Sequence, residues 1–178
     1  TRKLSILQSK KILFVTALSC EAHLIVEYLK LKKIEKNLFG DGKFFVFVGG
    51  VGSKMGQNLA QLLDKIIFDR IINFGVAGTN DKSVQIGELF CVNHEINGIK
   101  SAILQTVSEP KIAENLDGDL RLFDMEGEYF LQTAMKYIEN QNIFVFKIIS
   151  DHLQNERLEK KFISDLIKSK IKQIVESL

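Results

Sequence analysis

Carboxylates that follow apolar runs are the residues of this chain best placed for chemistry. Asp151 ends the run Ile143 to Ile149 and its Ser150, Glu21 lies just beyond Ile12 to Ala17, and Asp124-Met125-Glu126-Gly127 stands between an extended stretch and a segment of helical period. A buried strand of an open α/β sheet ends in the crevice where ligands bind, so three acids distant in sequence, Glu21, Glu126 and Asp151, are expected to face one cleft. Each also has an ordinary reading. Glu21 and Glu126 suit the first turn of a helix, where the macrodipole favours negative charge. Asp151 suits a helix cap.

Other reactive side chains offer less. Cys20 and Cys91 form no CxxC pair, and Cys20 has no base placed by sequence to activate it. His23, His94 and His152 are isolated and lack metal-ligand spacing, so no metal is expected. Gly49-Gly50-Val51-Gly52-Ser53 between a strand and a helix can hold an anion or make a tight turn into a capped helix; it matches neither the P-loop order nor the dinucleotide fingerprint. Gly75-Val76-Ala77-Gly78 reads equally as close ligand approach or as turn chemistry after a strand.

Elements that must carry these residues alternate between strand-length apolar runs and helical periods, the mark of an α/β fold. Strands are expected at Ile12 to Ala17, Phe44 to Val48, Arg70 to Phe74, Gln85 to His94, Lys100 to Val107 and Ile143 to Ile149, with a turn at Gly40 and Gly42. Helices are expected at Glu21 to Leu31, after a Ser53 cap with a stripe from Met55 through Leu59, Leu62, Leu63, Ile66 and Ile67, at Glu126 to Ile138, and at Arg157 to Ser177, whose stripe includes Leu158, Phe162, Leu166, Ile167, Ile171, Ile174 and Val175. Val107 to Leu122, with the single proline Pro110, reads as a loop.

A chain of 178 residues that is 46% hydrophobic suits one domain, expected over residues 11–178 after an N-terminal extension, Thr1 to Lys10. Its 24 basic and 22 acidic residues are scattered, which argues against nucleic acid as a partner. No apolar stretch approaches membrane-spanning length, so no membrane partner is expected and a reducing cytoplasm fits the cysteine usage.

Taken together, the motifs resemble the nucleoside phosphorylase/nucleosidase superfamily, closest to the methylthioadenosine/S-adenosylhomocysteine nucleosidases, in a shortened form. Thr16-Ala17-Leu18-Ser19-Cys20-Glu21 resembles the first-strand loop that brings in a water-activating glutamate. Ile72-Asn73-Phe74-Gly75-Val76-Ala77-Gly78 is similar to the family's Asn-x-Gly-x-Ala-Gly segment, and Ile86-Gly87-Glu88-Leu89 to its Val-Gly-Asp-Val entry. Asp124-Met125-Glu126-Gly127 resembles the ribose-clamping Met-Glu motif, and Ile149-Ser150-Asp151 the Ile-Ser-Asp that carries the purine-side acid.

The resemblance implies a three-layer α/β/α sandwich around a mixed, largely parallel sheet. It implies cleavage of the N-glycosidic bond of a purine ribonucleoside without cofactor, with Asp151 and Glu21 catalytic and Glu126, Met125, Ala77, Gly78 and Ser150 binding substrate. A homodimer or higher oligomer is implied as well. Two places where the superfamily's phosphorylases carry arginines hold Glu21 and Asn73 here, which favours water as the nucleophile. A phosphate-dependent phosphorylase and a nucleoside-binding protein of weak catalysis stand as alternatives. Val76 falls where a serine is usual and Lys147 where an arginine is. The segment before the Met-Glu motif is short and leaves the base-stacking aromatic unassigned; Phe123 reads as core packing.

Overall fold

The computed structural model describes residues 10–110, 118–154 and 158–178. Most of the N-terminal extension, part of the Val107 to Leu122 loop and Arg157 lie outside the described residues.

A run of hydrophobic strands forms the middle of one nine-stranded sheet. Its parallel centre consists of β4 (Phe44–Val48), β1 (Ile12–Thr16), β5 (Arg70–Thr79) and β9 (Ile143–Asp151), each nearly continuous in apolar residues because both faces are covered. Antiparallel pairs flank it: the hairpin β2 (Lys32–Glu35) and β3 (Leu38–Gly40) beyond β4, β6 (Leu89–Cys91) on β9, and β8 (Arg121–Asp124) on β5, with β7 (Ile103–Thr106) parallel to β8.

Alternation along the strands sorts side chains onto the two faces of the sheet. Leu13 and Val15 join Met55, Leu59, Leu62 and Leu63 of α2 (Lys54–Leu63) and Phe130 and Ala134 of α3 (Gly127–Ala134). Phe14, Ile72 and Phe74 join Ala22 and Ile25 of α1 (Ser19–Leu29) and Ile163, Ile167, Ile171 and Ile174 of α4 (Lys160–Glu176). The result is the expected three-layer α/β/α arrangement around a mixed, mostly parallel sheet.

Several expectations are corrected. Gly75 to Gly78 is not a turn: β5 runs on to Thr79, with Gly75 to Ala77 in continuous parallel register with β9. Ser53 makes no side-chain cap bond, since its backbone is already right-handed helical. Because α2 ends at Leu63, Ile67 falls outside the stripe and is 84% exposed, while Phe68 takes a buried place. The strand expected at Gln85 to His94 shrinks to Leu89–Cys91, bounded by Gly87 at φ +88° and by Asn93, whose side chain bonds Val145 N and Ile143 O. The strand expected at Lys100 to Val107 shrinks to Ile103–Thr106, and α3 stops at Ala134. In α4 it is Ile163 rather than Phe162 that is buried.

One feature of the sheet makes room for a site. The edge of β5 is paired with β1 only as far as Asn73, and β8 takes over at Gly78. Between those points the edge of β5 is bare, beside the end of β1. A cleft at such a branch of the strand order is where open α/β sheets bind ligands.

Candidate active site

A cavity of about 370 Å³ opens there, a size suited to a small organic ligand. Glu21, Met125, Glu126, Ala77, Gly78, Ser150 and Asp151 all line it. All seven residues singled out from sequence therefore meet at one place, supplied by α1, the β8–α3 junction, β5 and β9.

Glu21 fulfils both readings of its position. It sits in the first turn of α1, where its Oε2 accepts from the N–H groups of Leu18 (2.9 Å) and Ala17 (3.0 Å), capping the helix. Its Oε1 takes no hydrogen bond from a described group and lies beside Gly75, 3.2 Å from where a Cβ there would stand. A side chain at Gly75 would crowd the acid out. Burial pushes the Glu21 carboxyl up to about 7, in the same direction as the nearby Glu126 charge, while the Leu18 and Ala17 N–H groups and the Lys147 ammonium favour ionisation.

That shift has a measurable consequence for folding. A carboxyl whose pKa is raised from 4.5 to about 7 binds its proton more tightly in the folded state, so its contribution is fully present below pH 4.5 and lost as pH rises through 7. The loss amounts to about 3 kcal/mol. Glu21→Gln, which keeps an acceptor for the two N–H groups, is expected to gain stability relative to the parent by that amount between pH 4.5 and 8. Urea titrations of both proteins at the two pH values check it; a constant difference would show that Glu21 titrates normally.

Glu126 is the N-cap residue of α3, and its Oε1 faces the N–H of Gly52 at 3.4 Å. The glycine turn after β4, with Gly50 and Gly52 at positive φ, thus directs its N–H toward a carboxylate of the chain itself. Burial raises the pKa of Glu126, with Asp124 adding to the rise and Lys147 opposing it.

Asp151 is the last residue of β9. Its Oδ1 accepts from Leu153 N at 2.8 Å, and Ser150 Oγ lies 2.7 Å from its Oδ2 and 3.3 Å from Ala77 O. The turn that allows this puts Leu153 at φ +60°, a costly conformation for a branched residue, held by burying its side chain. Gly78 gives Asp151 its space: a Cβ there would come 2.8 Å from Oδ1. The neighbouring His152 bonds Val84 O, a structural contact.

Sequence reasoning named Lys147 and Asp124 only within separate motifs and missed that they pair at the centre. Lys147 and Asp124, both buried, form an ion pair at 2.7 Å, and Asp124 also accepts from Thr106 Oγ1 (2.7 Å) and Gly127 N (2.8 Å). Burial works against the ammonium, but Asp124, Glu126 and Glu21 outweigh it and the pKa of Lys147 is raised. A lysine inside an otherwise apolar strand was the available signal, since a buried ammonium needs a partner. Phe123 is both core, at 5% exposure, and part of the cavity wall. Burial also raises the Cys20 thiol, which suits it poorly to nucleophilic work.

No protein-family model matches this sequence, and no curated protein matches it. Solved structures do. The methylthioadenosine/S-adenosylhomocysteine nucleosidase (MTAN) of Chlamydia trachomatis, solved bound to MTA, superposes with a TM-score of 0.75 at 18% identity, over 95% of each chain. The futalosine hydrolase of Helicobacter pylori gives a TM-score of 0.73 at 14% identity, over 96% of this chain and 99% of that one. The Helicobacter pylori MTAN bound to butyl-thio-DADMe-Immucillin-A gives 0.71 at 14% identity, over 95% and 99%. The chain is therefore built on the α/β fold of these nucleosidases, as its motifs implied.

Proposed function

We propose that the protein hydrolyses the N-glycosidic bond of a purine ribonucleoside. The observation that carries this reading is that Glu21, Glu126 and Asp151, from three separate elements, line one cavity of nucleoside-compatible size. As the C1′–N9 bond breaks, its electron pair moves to the purine and the ribose gains cationic character. Asp151 serves as the general acid that delivers a proton to N7 of the departing base. Glu126 accepts hydrogen bonds from ribose hydroxyls and places negative potential near the developing cation. Water adds to C1′ and passes a proton to Glu21, and solvent exchange resets both acids. Met125, Ala77, Gly78 and Ser150 complete the wall against which the nucleoside rests. The reading calls for no cofactor or metal.

Water, rather than phosphate, is favoured by the charges. Among the described residues lining the cavity the one cation is Lys147, already paired with Asp124, while Glu21 and Glu126 would repel an incoming dianion. The glycine turn, the other candidate for holding phosphate, is turned toward Glu126.

Chromatographic assay of free base from methylthioadenosine, S-adenosylhomocysteine, futalosine, adenosine, inosine and guanosine tests the reading. Release independent of phosphate from at least one of them is expected. Release only with phosphate would assign a phosphorylase, and none from a folded sample would overturn catalysis on these nucleosides.

A further inference from the structure

Asn73 is a buried polar residue that the reaction above does not use. It lies on β5 with 1% exposure and lines the cavity. Its Nδ2 donates to Val15 O at 3.2 Å, and its Oδ1 is a fully buried acceptor with no partner among the described residues. A buried acceptor without a donor keeps its whole desolvation penalty, so such an atom calls for an explanation.

The surroundings supply one. Residues 73 and 75 project to the same face of β5, and position 75 is a glycine. The notch left by Gly75 is bounded by Glu21 Oε1 and by Lys147 Nζ, which lie 3.2 and 3.7 Å from where its Cβ would be. Both have capacity to spare. The two N–H bonds to Glu21 go to Oε2, leaving Oε1 open. Lys147 spends one of its three donors on Asp124. Glu21 Oε1 and Lys147 Nζ thus meet in one small polar recess, with Asn73 two residues away on the same face of β5 and lining the same cavity, the environment that retains a buried water.

We propose that Asn73 is a positioning residue: with Lys147 it holds a resident water in the Gly75 notch, and that water hydrogen-bonds Glu21 Oε1 and fixes the carboxylate for its work. The water donates to Asn73 Oδ1 and to Glu21 Oε1 and accepts from Lys147 Nζ, so each unspent group is satisfied. Oε2 is clamped by backbone and Oε1 by this water, which leaves the Glu21 carboxylate one orientation.

The inference rests on the hydrolytic reading for its kinetic consequence but not for its structural one. A crystal structure of the protein at about 1.5 Å resolution is expected to show a water within about 3.2 Å of Asn73 Oδ1 and Glu21 Oε1. Asn73→Val, which keeps a strand-compatible apolar shape, and Gly75→Ala, which fills the notch, are both expected to lose it. With a nucleoside that the parent cleaves, Asn73→Val is expected to lower kcat about ten- to a hundredfold with KM changed less than about threefold, the cost of a misplaced catalytic group. A purely structural asparagine would alter the melting temperature and leave kcat alone. An ordered recess without water in the parent, or full kcat in Asn73→Val, overturns the proposal. If the parent cleaves no nucleoside the functional reading fails separately, and occupancy of the notch still decides this one.

Discussion

Asp151→Asn is expected to slow base release by about a thousandfold while leaving nucleoside binding within a few-fold of the parent. Removing a general acid costs about a hundred- to ten-thousandfold, because the leaving purine must then carry its negative charge unaided. Asparagine keeps the shape of the side chain and an acceptor for Leu153 N, the 2.8 Å bond that sets the turn after β9. Fold and pocket should therefore survive, and single-turnover kinetics alongside ligand-induced thermal shifts would separate chemistry from binding. Retention of more than a tenth of the parent rate would remove Asp151 from the chemistry.

Lys147→Met is expected to destabilise the protein by about 3 to 5 kcal/mol, the cost of stranding one half of a buried ion pair. For a chain of 178 residues that corresponds to a fall in melting temperature of about 10 °C. The reason lies in what remains: Asp124 would stay buried beside Glu126 and Glu21 with no cation facing the three carboxylates. Asp124→Asn combined with Lys147→Met removes the stranded charge as well, and the pair is expected to recover a good part of the loss. Chemical denaturation of the parent, both single variants and the double variant gives the coupling energy directly. A single Lys147→Met within about 1 kcal/mol of the parent would mean that the pair is dispensable.

The acids of the site were legible because each interrupts a strong local pattern. Asp151 follows eight positions in which Lys147 and Ser150 are the only polar residues, and the strand carries the acid to the end of the sheet as that pattern requires. Glu21 and Glu126 were legible in position but not in duty, since a first-turn carboxylate looks the same whether it caps a helix or lines a cavity; Glu21 does both. Of the two readings open for Gly75 to Gly78, the turn failed for a physical reason. Glycine weakens a strand, and two within four residues suggested a turn, yet here they admit Glu21, Lys147 and Asp151 close against the backbone of β5. The hairpin Lys32–Gly40 left no trace because all four residues of β2 are exposed and show no alternation. The pairings of Lys147 with Asp124 and of Glu126 with Gly52 join residues 23 and 74 positions apart, and only the folded sheet brings them together.

Whether three carboxylates face one substrate is decided by a crystal structure of Asp151→Asn with an uncleaved purine nucleoside. The ribose hydroxyls are expected within hydrogen-bonding distance of Glu126, N7 of the purine beside residue 151, and C1′ open to a water on the Glu21 side. A nucleoside bound outside this cavity, or bound in it with the ribose turned away from Glu126, would contradict the account.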